Sequence, residues 1–225
     1  MRKQTGFTLI EIAIVLVIIG LLLGGVLKGQ ELITAARVRN LISTQDGVKA
    51  AYFGFLDRYR ALPGDYNSAT ANIPSCAAVC LNGDNNGQIA GASEPQIAWE
   101  HLSKAGFITG SYLYPVAAAA AAPANTPTNP YGSLVQLIYD PTYRDAASDV
   151  GSGNSRHNLK TGNNIPSDIL AEVDRKIDDG LANGGQLRHS TFGATPTTYA
   201  TCAVAATNTW QSQTPVANCG AASLF

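Results

Sequence analysis

Hydrophobic and polar residues fall along the chain in three regimes. From Phe7 to Leu27 every position is apolar except Thr8, Glu11 and the glycines, a run long enough to span a bilayer as a helix. Beyond it, Val38, Leu41, Ile42, Val48, Tyr52, Phe55, Leu56 and Tyr59 recur mostly at three- and four-residue steps. That spacing predicts one face of an amphipathic helix continuing the apolar run. The pattern stops at LPGDY (62–66), where Pro63 has no amide to donate and Gly64 tolerates turn geometry. A helix from Phe7 to Arg60 would be about 80 Å long at ~1.5 Å per residue. The aromatic stripe Tyr52, Phe55 and Tyr59 reads as packing under a sheet.

The remaining chain is mixed. SEPQIAWEHLSKAGF (93–107) opens with Ser93 and Gln96 at capping-box spacing, has Pro95 in its first turn and stops near Gly106, which predicts a helix with Ala98, Leu102 and Ala105 on one face. A second helix is predicted from Ser167, with Ile169, Leu170, Val173 and Ile177 on one side, ending at Gly180. SLVQLIY (133–139) alternates as a strand does, and QLRHSTF (186–192) and TYATCAVA (198–205) have strand-compatible composition. The alanine-rich stretch 116–130, with its prolines and asparagines, reads as an exposed loop. These elements predict an α+β fold, a long N-terminal helix packed on an antiparallel sheet.

Charge sharpens the division. Lys28–Arg60 carries six basic and three acidic residues, whereas the chain from Ala61 onward carries seven basic and twelve acidic, so the stem is +3 and the head −5. An acidic head is a poor partner for nucleic acid, and none is expected. Cys76, Cys80, Cys202 and Cys219 all lie in the head. An even count beyond a membrane segment points to disulfides in an oxidising compartment. Three pairings are possible, and local loop closure favours Cys76 with Cys80 and Cys202 with Cys219. Zinc is disfavoured because His101, His157 and His189 are remote in sequence from both pairs.

The front of the chain poses the sharpest question. A secretory signal has an apolar run of about 7–15 residues before a small-residue cleavage site, and this run is longer and ends in GGVLKGQ. Retention of the apolar segment is therefore expected, with Arg2 and Lys3 holding the preceding end in the cytoplasm. Inside the membrane, Glu11 would cost about 2.5–3.5 kcal/mol unless paired. Lys28 is more than four turns away along the helix. A cut between Gly6 and Phe7 would create a nearer cation, the α-amine of Phe7, on the same helix or on a neighbour's.

The residues GFTLIEIAIVLVIIGLLLGG (6–25) resemble the type IV pilins and pseudopilins, whose precursors carry a short basic leader ending in glycine, then phenylalanine, then glutamate at the fifth mature position. Gly6, Phe7 and Glu11 match that pattern. The resemblance implies cleavage after Gly6 by a prepilin peptidase, N-methylation of Phe7, an assembly contact at Glu11, and extraction from the inner membrane by an assembly platform and its ATPase. Many major pilins have proline where this chain has Lys28, which leaves Gly20, Gly24, Gly25 and Gly29 as the helix weakeners here. The Gly-x-x-x-Gly spacings also suit close approach of two membrane helices.

For the head, NGDNNGQ (82–88) sets Asn82, Asp84 and Asn86 at positions 1, 3 and 5 of a calcium-loop pattern with Gly87 at position 6, but position 12 is Ser93, and Glu94 comes one residue late. An ion-free Asn/Gly turn is the first reading and weak calcium binding the second. Asp174, Asp178 and Asp179, with Arg175 and Lys176 between them, read as a solvated helix end. No nucleophile elbow, zinc-protease or phosphate-loop motif is present, so no enzyme is expected.

The expected organisation is a removable leader (1–6), a membrane and filament-core helix (7–27), its amphipathic continuation (28–62) and an extracytoplasmic α+β head (63–225). The expected product is a structural subunit of a type IV pilus or pilus-like filament, polymerised with itself or other pilins. It would sit in the inner membrane with its head in the periplasm, then in a surface or periplasmic filament. The alternatives are a minor pilin or pseudopilin of a type II secretion system, or a membrane-anchored adhesin.

Overall fold

The computed structural model describes residues 8–76, 80–114, 120–145, 151, 153–193 and 197–225. The leader with Gly6, Phe7, and residues 116–119 of the alanine-rich stretch lie outside them. Helix α1 (Leu9–Tyr59) is followed by α2 (Ala69–Asn72), a 3-10 turn (Pro74–Cys76), α3 (Glu94–Lys104), β1 (Gln136–Asp140), β2 (Arg156–Lys160), α4 (Ser167–Ile177), β3 (Leu187–His189), α5 (Tyr199–Cys202), β4 (Ala203–Val204), β5 (Thr209–Trp210) and β6 (Ala221–Leu224).

The chain divides into two compact units, Met1–Arg37 and Val38–Phe225. The division falls at Val38, the first fully buried residue of α1. In the first unit α1 runs through Gly20, Gly24, Gly25 and Gly29 without a break, because a glycine costs only about 1 kcal/mol in a helix whose other residues favour it. That stretch is apolar and long enough to cross a membrane.

In the second unit Val38, Leu41, Gln45, Val48, Ala51, Tyr52 and Phe55 form the buried stripe of α1, at the spacing the sequence predicts. The helix closes at Arg60, which takes a left-handed conformation (φ 53°) while its amide bonds to the Leu56 carbonyl. Four antiparallel strands make the sheet in the order β1-β2-β6-β3. Leu137 and Leu159 are buried in one cluster with Val48, Tyr52 and Phe55 of α1. A second cluster joins Val38 and Leu41 to Ile169, Leu170 and Val173 of α4 and to Trp210.

Several local expectations are corrected. Ser93 makes no capping bond, because it is itself in helical conformation, and its hydroxyl accepts instead from Tyr114. Every residue of α3 from Glu94 to Leu102 is buried, so the helix is enclosed rather than one-faced. TYATCAVA is not one strand: Thr198 starts a helical turn through Cys202, and only Ala203–Val204 is extended. Nor is the stretch before β1 a freely exposed loop throughout, since Asn125, Thr126 and Asn129 are buried. Asn129 acts as a brace, its Nδ2 donating to the carbonyls of Thr161 and Asn163 and its Oδ1 accepting the amides of Tyr131 and Ser133.

Candidate functional site

At the start of α1 the carboxylate of Glu11 is held by Thr8. Oε2 accepts both the Thr8 amide and the Thr8 hydroxyl at 2.8 Å, and the Glu11 amide donates back to the Thr8 hydroxyl at 3.3 Å. This is a reciprocal capping box. Thr-Leu-Ile-Glu (8–11) has the sequence signature for it. Among the described residues no bond is made to Oε1, so one carboxylate oxygen is left for a partner. Along the same helix Leu9, Leu16, Leu21 and Leu27 are exposed.

In the head, the three residues at calcium-loop spacing, Asn82, Asp84 and Asn86, do not converge on one point. Only Asp84 joins a carboxylate group, with Asp65 and Glu94, whose ligand atoms lie within 4.8 Å of one another. The oxygen of Asn82 accepts the Thr70 amide of α2, and that of Asn86 accepts the Gln88 amide two residues on, so both already serve backbone donors. Asp65 cradles the loop by accepting the amides of Asn86 (2.8 Å) and Gly87 (2.9 Å), and Glu94 accepts those of Asp84 and Ala90. Burial raises the pKa of Asp65 and of Glu94. Asp65 is the member that spacing could not find, because it lies 21 residues before Asn86, whose amide it accepts. The group is brought together by Gly64, whose φ of +89° and position against Glu94 leave no room for a side chain.

The second acidic group is also corrected. Asp174 is fully buried, not solvated, because it accepts the indole N–H of Trp210 at 2.6 Å. Burial pushes its pKa up to about 7. Among the histidines, buried His101 accepts the Gly64 amide through Nδ1 at 3.0 Å and meets the Leu81 carbonyl through Nε2 at 2.9 Å. That arrangement needs the neutral ring with its proton on Nε2. Disulfides join Cys76 to Cys80 and Cys202 to Cys219.

Among the described features, the N-terminal helix is the one whose exposed apolar surface needs a second medium or a second chain. Residues 1–27 match the prokaryotic N-terminal methylation motif. On a helix able to cross a membrane, that match supports a type IV pilin-like precursor, anchored in a membrane before assembly. Comparison with curated proteins and with solved structures finds no match to the chain. The head, which lies wholly outside the matched segment, takes its description from its own geometry.

Proposed function

We propose that the chain is cut after Gly6, methylated at Phe7, and assembled as a structural subunit of a type IV pilus or pilus-like filament. The observation that carries this reading is Glu11, an acid inside an apolar run, anchored through one oxygen by Thr8, its second oxygen making no bond among the described residues. A neutralising cation supplied by a neighbouring subunit would couple relief of the buried charge to polymerisation. The partners this requires are a prepilin peptidase, an inner-membrane assembly platform and its ATPase. The head, held by two disulfides, would face the periplasm and then the outside of the filament.

The test is a pair of substitutions read in cells. Gly6→Leu should leave the leader attached, and Glu11→Ala should be processed normally yet be missing from sheared fibres. Glu11→Ala fibres in wild-type yield would defeat the assembly role. Abundance in those fibres separates a major pilin from a minor pilin or a type II secretion pseudopilin. The calcium reading passes from Asn82, Asp84 and Asn86 to Asp65, Asp84 and Glu94. A calcium-dependent rise in head melting temperature that Asp84→Asn removes would support it, and an unaltered melt would retire it.

A further inference from the structure

We propose that a groove on the outer face of the sheet binds a neutral saccharide. The groove has a volume of about 690 Å³, within the range of small-molecule sites. It lies on the side of β1 marked by Gln136, Ile138 and Asp140, which alternate with core-facing Leu137 and so point away from α1.

Its chemistry selects the ligand class. The charged side chains of its lining are Asp140 and Lys160, and they are paired with each other, with the Thr142 hydroxyl also on the lysine. The lysine is almost wholly buried. A site for an anion would keep a cation free to meet it, whereas here both charges are spent internally. What the groove offers a ligand is an apolar surface from Phe192, Ile138 and Leu134 beside the polar side chain of Gln136. Phe192 is steadied by the Lys160 ammonium, 5.7 Å from its ring centre.

Asn163 supplies a second, separate indication. It is buried to all but 2 %, and its Oδ1 accepts the Ser133 hydroxyl at 2.6 Å. Its Nδ2 has no partner among the described residues. A buried donor without an acceptor is the exception in folded proteins, and a ligand hydroxyl would supply one once the Asn163 side chain turns toward the groove it lines. A pyranose ring fits this combination, because one face is made of C–H groups suited to an aromatic ring and its edge carries hydroxyls that both donate and accept. The inference does not depend on polymerisation, since the groove lies within one head.

The test uses the mature full-length chain in a zwitterionic detergent without a sugar headgroup. The probes are neutral oligosaccharides of glucose, galactose, mannose and N-acetylglucosamine, with an acidic oligosaccharide as the contrast. Saturation-transfer NMR should show at least one neutral probe receiving magnetisation at its ring C–H protons, with matching heat in calorimetry. Phe192→Ala should weaken that binding about tenfold or more, and Gln136→Arg, which projects a long side chain into the groove, should abolish it. Phe53→Ala, on exposed α1 surface, should leave it unchanged. Unaltered melting of each variant shows that the head is intact. Binding of no neutral probe, binding of the acidic one alone, or binding indifferent to both groove substitutions overturns the proposal.

Discussion

Trp210 donates its indole N–H to Asp174 across 2.6 Å in a site from which water is excluded. The other oxygen of Asp174 is buried without a hydrogen-bond partner among the described residues, and Asp178 and Asp179 stand close by. Burial is the main cause of the raised pKa, about 7 against an ordinary 3.8. Between those values the folded state holds a proton that the unfolded chain has lost, so this group makes stability fall as pH rises from about 4 to 7. Asp174→Asn keeps the acceptor for Trp210 and removes the titration. It should raise the melting temperature at pH 7 and flatten the pH dependence there. Equal slopes in the two proteins would contradict the assignment.

His101 pulls the opposite way over a similar range. Its pKa is pushed down to about 4 by burial, so below an ordinary value of 6.5 the unfolded chain takes up a proton that the folded state refuses. Its contribution is present above about pH 6.5 and is lost as pH falls toward 4. His101→Phe keeps a ring against Phe55, on which His101 is stacked, but leaves the Gly64 amide and Leu81 carbonyl unpaired. We expect a loss of about 3 kcal/mol at neutral pH, read by chemical denaturation, and a weaker acid sensitivity.

The two disulfides should differ in weight. Cys202 and Cys219 are 17 apart in sequence and Cys76 and Cys80 only 4. On the loop-closure argument the longer bridge contributes about 3 kcal/mol and the shorter about 2. Paired serine substitutions followed by denaturant titration check the ranking.

What could be read from the sequence depended on how local its cause was. The buried stripe of α1 was legible because Val38, Leu41, Val48, Tyr52 and Phe55 lie on one helix and repeat with its period. The sheet was legible only at β1 and at a shortened β3. Its inner strands β2 and β6 gave no signal: β6 is Ala-Ala-Ser-Leu, buried at every position, so it shows neither alternation nor branched residues. The burial of Asp174 is not legible in the sequence, because the neighbouring charges suggest solvent and its partner Trp210 lies 36 residues away. Asp65 escaped the loop pattern for the same reason, its bonds to Asn86 and Gly87 crossing 21 and 22 residues. Thr8 and Glu11 are close enough in sequence for their capping pair to be legible, since Thr-Leu-Ile-Glu carries the signature itself.

That pair permits a substitution separating the two roles. Glu11→Gln retains an oxygen for the Thr8 amide and hydroxyl while deleting the negative charge. It should be membrane-inserted and processed like the wild type but assemble poorly, as counted by fibres per cell. Normal fibre numbers would assign Glu11 to capping alone.

The most direct measurement is the N-terminus of the native protein, read by mass spectrometry of chain recovered from membranes and sheared fibres. The account requires a chain starting at Phe7 and carrying one added methyl group on its amine. A chain starting at Met1, or an unmodified one absent from fibres, would contradict it.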